Sequence, residues 1–428
     1  MTAPVQHEGA LPHQGAVPAH GEQRYWPEGF GVTPGGVLTV GGRPVTHWIR
    51  EAGGTPLFLY DSALIARRIE QLRAALPDRV HLHYAIKANP MPDVVNFVAP
   101  LVDGLDIASA GELEIALASG MEPRHISFAG PAKRDSELLA AVLAGVVVNL
   151  ESEGEMRRLA RLAQEAGRPA FVAVRVNPDF ELKGSGMRMG GGAKPFGVDA
   201  ERVPAMLEEL GALGLHFEGF HIFTGSQNLS AAALIEAQDK ALALAAALAR
   251  HAPRPPRFVN IGGGFGIPYA PADKPLDLEA VGVALSARLD RLEMEIVDSE
   301  IILELGRYIV GEAGVYLTQV IDRKVSHGEV FLLTDGGLHH QLAASGNFGQ
   351  VIRRNYPVAV ATRFASPGEE TATVVGCLCT PLDRLAEKIT VPKLEPGEVI
   401  GVFLAGAYGL TASPVRFLGH PEPAERLV

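Results

Sequence analysis

Lys87 ends the apolar run in the stretch HYAIKANP. Lysine is almost never fully buried without a partner, so a lysine where a buried strand stops needs a reason. One reading is a snorkelling side chain with its ammonium in solvent. The other is a lysine that forms a Schiff base with an aldehyde, whose amine pKa falls on desolvation. Gly262, Gly263 and Gly264 follow a second apolar run, in FVNIGGGFG. Glycines there let backbone N–H groups approach a phosphate closely, although tight packing produces the same pattern. Glu304 lies in LELGRY with apolar strand on one side. A buried carboxylate needs a cationic partner, which is either a protonated ring nitrogen or Arg307 close by. Two cysteines, Cys377 and Cys379, are too few for a disulfide scaffold. Their C-L-C spacing, with no further cysteine, is a poor zinc site, and no metal is expected.

An aldehyde-bound lysine, a phosphate cradle and a carboxylate for a ring nitrogen are the parts of a pyridoxal 5'-phosphate (PLP) site, which also needs a face to stack on and an acid. Elements must position these parts. From about residue 55 strand-like and helix-like segments alternate. LFLYD precedes SALIARRIEQLRAAL, HLHYAIK precedes MPDVVNFVAPLV, and GLDIAS precedes GELEIALASG. The alternation continues through HISFAG, VVVNLES, AFVAVRVNP, LHFEGFHIFTG, FVNIGGGFG and IILELGRY. These runs are continuously apolar, as expected of parallel strands buried on both faces. Repeated β-then-α units predict an α/β fold, a closed barrel or a doubly wound sheet. Lys87, Asp106, the GSQ at 225–227, the glycine triplet, and Glu304 with Arg307 all fall at C-terminal strand ends. That is the active face of a (βα)8 TIM-type barrel, and the barrel is the expected fold. Beyond about residue 310 come short strands: VYLTQVIDRKVS, EVFLLTDG, PVAVATRF, TATVVGC, VIGVFLAG and PVRFLGH. They predict an antiparallel β domain. The expected layout is a disordered tail at 1–28, N-terminal strands joining the β domain at 29–52, a PLP-binding barrel at 53–309 and the β domain at 310–428.

The chain has 428 residues, 47% of them hydrophobic, which suits two domains with large cores. A net charge of -11 speaks against nucleic-acid binding. No apolar run is long enough for a membrane span. The N-terminus lacks the basic-then-apolar layout of a signal peptide, so a cytoplasmic protein is expected. The tail, rich in Pro, Gly, Ala and His, reads as mobile and solvated.

The motifs YAIKANP, the glycine triplet, ELGRY, CTPLD and GAYG occur in an order that resembles the fold-type III PLP-dependent decarboxylases, the group of diaminopimelate, ornithine and arginine decarboxylases. GTPLFLYD, DIASAGELE at 106–114 and KPFGV at 194–198 extend the resemblance over roughly residues 30 to 420. It implies a βα barrel joined to a β domain, in a head-to-tail homodimer with shared active sites. It implies that Lys87 carries the cofactor and that Gly262, Gly263 and Gly264 form the phosphate loop, with Ser226 and Tyr408 as further contacts. Glu304 is implied to face the pyridine nitrogen, and Arg307 to bind phosphate or a substrate carboxylate. Cys379 is implied to be the catalytic acid that a second subunit brings to the site, followed by Asp383. Asp106 joins the expected cofactor-binding set. Cys377, two residues earlier on the same expected strand, is taken as structural.

Three departures from the family pattern bear on the substrate. The position that usually holds a stacking histidine, counted back from Ser226, is Phe223. A phenyl face stacks as well but donates no hydrogen bond. His221 is then either an inward supporting group or a core histidine. The residue after Cys379 is Thr380, where the family commonly has an acid for a distal amine; a neutral hydroxyl suits an ammonium poorly, and Asp383 is the candidate to compensate. The R-P-x-L-Y segment that grips the distal carboxylate of diaminopimelate is missing from TDGGLHHQLAASGNFGQ, and Arg353 and Arg354 come later. SGMRMGGGAKPFG, HIFTGSQN and CTPLD more closely resemble a sub-branch linked to exopolysaccharide and secondary-metabolite gene sets, whose substrate can be an aminoacyl group on a carrier protein. The expected activity is decarboxylation of an L-amino acid or of such a tethered group. The alternatives are a true meso-diaminopimelate decarboxylase, a same-fold racemase, and a non-catalytic PLP-binding protein.

Overall fold

The computed structural model describes residues 27–182, 184, 187–188, 190–346 and 354–428, with backbone alone at 187–188. The histidine-bearing tail, Arg353 and part of SGMRMGGGAKPFG lie outside the described residues. Parallel strands close into a barrel: Val80–Ala85 (β1), Gly104–Ile107 (β2), Ile126–Phe128 (β3), Val147–Leu150 (β4), Phe171–Asn177 (β5), His216–His221 (β6), Phe258–Gly263 (β7) and Glu300–Leu305 (β8). Each pairs with the next, and β8 pairs back onto β1. Several of the intervening helices start on side-chain caps. Ser109 accepts from the Glu112 N–H, Ser152 from Glu155 and Ser230 from Ala233.

The barrel's two ends differ. Val147, Ala173, Phe258 and Ile302, from β4, β5, β7 and β8, form an apolar cluster apart from the main core. Toward the N-terminal strand ends, Arg257 pairs with Glu218 at 2.7 Å and Glu300 at 2.8 Å, and Arg124 pairs with Glu218. These charges neutralise one another and close that end. The opposite end carries Lys87, Arg175, His221 and Glu304, and there the chemistry gathers.

The β domain is mixed and mostly antiparallel. Its long strand Gly314–Ser326 pairs antiparallel with Val399–Phe403 and Glu329–Thr334, whereas Glu329–Thr334 runs parallel to Glu370–Val375. LFLYD is not a barrel strand. Leu57–Tyr60 pairs antiparallel with residues 314–317 and parallel with Ala424–Leu427, so the expected barrel boundary at residue 53 cuts into the β domain. A fully buried apolar run looks the same in either sheet. PVRFLGH is not a strand either: the Phe417 N–H turns back onto the Pro414 carbonyl at 2.9 Å. Two strands escaped the sequence reading, the charge-rich Arg384–Val391 and the short Ala424–Leu427. The N-terminal strands Gly31–Val32, Leu38–Val40 and Arg43–Pro44 pair only with one another. They join the β domain by packing, with Phe30 edge-on to Phe403 and the Phe364 N–H donating to the Gly36 carbonyl at 2.6 Å. Among the described residues no helix is long and apolar enough to cross a membrane.

Candidate active site

β1 ends in the turn Ile86–Ala88, which carries Lys87. The turn is clasped by the β domain: the Tyr408 N–H donates to the Ala88 carbonyl at 2.7 Å, and Asn89 Nδ2 donates to the Gly406 carbonyl at 3.2 Å. Held this way, Lys87 Nζ donates to Glu304 Oε1 at 3.3 Å. Glu304 is buried at the end of β8, while the Lys87 side chain stays 42% accessible because it faces the barrel mouth. Burial works against the Lys87 ammonium, but the Glu304 carboxylate outweighs it and holds the lysine above its ordinary value. Burial also works against ionised Glu304, and Lys87, His221 and Arg175 together hold the carboxyl below the usual carboxylate range. On the other side of Glu304, His221 Nε2 lies 3.1 Å from Oε2, off the hydrogen-bond line. Phe223 is half-buried, its ring centroid 5.9 Å from Lys87 Nζ.

The glycine triplet leads away from β7 directly beside these groups. Gly262 has φ +70, and a Cβ there would meet the Phe223 ring at 2.7 Å. A Cβ at Gly263 would run into the Glu304 carbonyl, and one at Gly264, φ +76, would meet the Gly225 carbonyl at 2.7 Å. Side chains are therefore excluded from the loop by backbone packing as well as by any phosphate. The Ser226 hydroxyl is buried without a hydrogen-bond partner among the described residues. Arg307 comes three residues after Glu304 and opens the short helix Arg307–Val310. It bonds the Tyr269 hydroxyl, and its guanidinium carbon lies 4.7 Å from the Tyr408 ring centroid and 5.6 Å from that of Tyr269. Burial lowers this guanidinium's pKa, and the phenols of Tyr269, Tyr408 and Tyr356 more than reverse that. No carboxylate pairs with it among the described residues. A guanidinium without a counter-anion, an orphaned hydroxyl, a glycine loop and an ionised Glu304 form a donor set that fits PLP: anion contacts at one end and an anion for the ring nitrogen at the other.

Asp106 is buried at the end of β2, level with Ala85, and faces His83 Nδ1 at 3.5 Å with neither oxygen hydrogen-bonded. It sits in the lumen below the Lys87 turn. Cys377, Cys379, Thr380 and Asp383 lie on the turn between Glu370–Val375 and Arg384–Val391, not on a strand. Cys377 Sγ lies 3.7 Å from His420 Nδ1. Asp383, the expected acid near Thr380, is turned inward. It is buried, with one carboxylate oxygen accepting the Leu338 N–H at 2.6 Å and the other the Leu378 N–H at 2.8 Å, contacts that fold the turn. No hydrogen bond, ion pair or ring contact among the described residues links this turn to Lys87, Glu304 or Phe223.

Sequence reasoning missed two groups. Arg175, inside the apolar run of β5, donates to Glu151 at 2.7 Å, and Glu151 also accepts the Gly130 and Gly197 N–H groups. A lone arginine within a buried strand was the available signal. The RRNYP segment also returns to the site. Arg354 pairs with Asp273 at 3.4 Å, and the Tyr356 ring lies 4.9 Å from Tyr269, beside Arg307.

The family described as pyridoxal-dependent decarboxylase, pyridoxal binding domain, matches residues 62–311. The chain is 36% identical over 379 residues to the L-glutamyl-[BtrI acyl-carrier protein] decarboxylase of Niallia circulans, covering 87% of this chain and 88% of that protein. It is 35% identical over 385 residues to the diaminopimelate decarboxylase of Aquifex aeolicus, covering 88% of this chain and 87% of that one. Among solved structures, diaminopimelate decarboxylase from Helicobacter pylori complexed with L-lysine superposes with a TM-score of 0.78 at 28% identity, over 90% of this chain and 94% of that chain.

Proposed function

We propose that this chain, which belongs to the pyridoxal-dependent decarboxylases, removes carbon dioxide from an aminoacyl group tethered to a carrier protein. When bound, PLP supplies the electron sink that makes loss of carbon dioxide from an amino acid feasible. In this reading Lys87 would be the residue that carries the cofactor's aldehyde. Glu304 would hold the pyridine nitrogen. Gly262, Gly263, Gly264, Ser226, Arg307 and Tyr408 hold the phosphate, and Phe223 offers its ring face. As carbon dioxide leaves, the bond from the α-carbon to the carboxylate breaks. A proton from Cys379 of a second copy then returns to the α-carbon, and solvent reprotonates the thiolate. This reading calls for a homodimer, since among the described residues no hydrogen bond, ion pair or ring contact joins the Cys379 turn to Lys87.

The observation that carries the tethered substrate is the turn at 377–383. Thr380 is neutral, and Asp383 is buried with each oxygen accepting a backbone N–H, so the turn exposes no carboxylate to a distal ammonium. The glutamyl carrier-protein decarboxylase of Niallia circulans is consistent with that reading. Free meso-diaminopimelate is the second reading, favoured by Arg354 and Tyr356 beside the Arg307 cluster. Carbon dioxide release should be compared on glutamyl carrier protein and on free meso-diaminopimelate. Turnover on the carrier-bound group with little on the free diamino acid is expected, by ~100-fold or more if one desolvated charge is left unpaired. Efficient turnover of free diaminopimelate would overturn the tethered substrate.

A further inference from the structure

Glu304 has a side chain at each of its oxygens, and one of the two is the lysine assigned to the cofactor. Lys87 is at Oε1, and the same nitrogen is the one that must hold the cofactor's aldehyde. His221 is at Oε2, 3.1 Å away and 2% exposed. Neither ring nitrogen of His221, nor Oε2 itself, has a hydrogen-bond partner among the described residues. Arg175 cannot take over from Lys87, because Glu151 holds its guanidinium at 2.7 Å. Phe223, the next aromatic along the chain after His221, is apolar. A buried carboxylate whose one bonded cation departs becomes costly unless a second donor remains. We propose that His221 is a positioning residue for Glu304, engaging Oε2 while Oε1 passes from the Lys87 ammonium to the cofactor's ring nitrogen. This rests on the proposed role of Glu304 and adds to it a reason for His221, which would otherwise be a buried imidazole with nothing to bond.

The test is PLP affinity of the apoprotein, measured by visible absorbance for native protein, His221→Gln, His221→Phe, Glu304→Gln and the double variant His221→Phe/Glu304→Gln. A charge-assisted hydrogen bond predicts roughly tenfold or more weaker binding for His221→Phe. His221→Gln keeps an N–H donor and should stay within about threefold of native. The double variant should bind no more weakly than Glu304→Gln alone, because the two act as one unit. Native affinity in His221→Phe with weakened Glu304→Gln would overturn the role of His221 and leave that of Glu304. Native affinity in both would overturn the two together. If His221→Phe does not fold, proton NMR of the native PLP-loaded protein decides instead. A downfield ring N–H resonance that Glu304→Gln abolishes is expected, and its absence would overturn the proposal.

Discussion

Lys87 and Glu304 stabilise each other as an ion pair, and their charges set a pH window. Lys87 stands above its ordinary value and Glu304 below its own. The pair's contribution to stability is therefore complete between the ordinary carboxylate and lysine values. It is lost as pH falls through the depressed value of Glu304, and as pH rises through the raised value of Lys87. In denaturant melts of apoprotein, the stability gap between native and Lys87→Met should stay level from about pH 6 to 9. It should narrow only in stronger acid or alkali. A gap that changes through neutrality would show that another group controls the pair. The roles of Lys87 and Glu304 could be sought in the sequence because each is a charged residue at the end of an apolar run. His221 could not be placed the same way: its partner sits two strands away, and nothing in HIFTGSQ announces a carboxylate on β8.

The turn between Glu370–Val375 and Arg384–Val391 depends on one carboxylate. Asp383 gathers the Leu338 and Leu378 N–H groups. Gly337 and Gly376 lie so close that a Cβ on either would strike its oxygens. Asp383→Ala leaves both N–H groups unpaired and should cost about 2–4 kcal/mol of stability, with activity falling as the Cys379 turn loosens. Asp383→Asn retains one acceptor and should fall between. Thermal denaturation checks the order, and native stability in Asp383→Ala would contradict it. The motif CTPLD marked Asp383 as important but not how, because backbone amides brought from residue 338 carry no side-chain signature. At the same scale, β1 to β8 were readable as continuous apolar runs. Leu57–Tyr60 has the same texture and goes to the other sheet, where its partners are the chain's last strand and residues 314–317.

The whole molecule separates a closed, charge-neutralised barrel end from an open one that carries Lys87. The β domain reaches back to clasp the Lys87 turn through the Tyr408 N–H and the Gly406 carbonyl. It also brings Tyr356 to the Arg307 cluster. Motif order was enough to gather Lys87, the glycine loop, Glu304 and Arg307 at one end of a barrel. It was not enough for Arg354 and Tyr356, whose return to the barrel depends on how the two domains meet. The central claim is that Lys87 is the residue that carries the cofactor. A buried lysine offers a real competitor: Lys133 sits beyond β3, donating to the Gly130 and Asn149 carbonyls and to Glu155 at 2.8, 2.8 and 2.9 Å. Its three hydrogens are already used, whereas Lys87 has one carboxylate partner and an open mouth before it. Borohydride reduction of the PLP-loaded protein, followed by peptide mapping, tests this directly. The pyridoxyl group is predicted on Lys87; its recovery on Lys133 or any other residue would contradict the account.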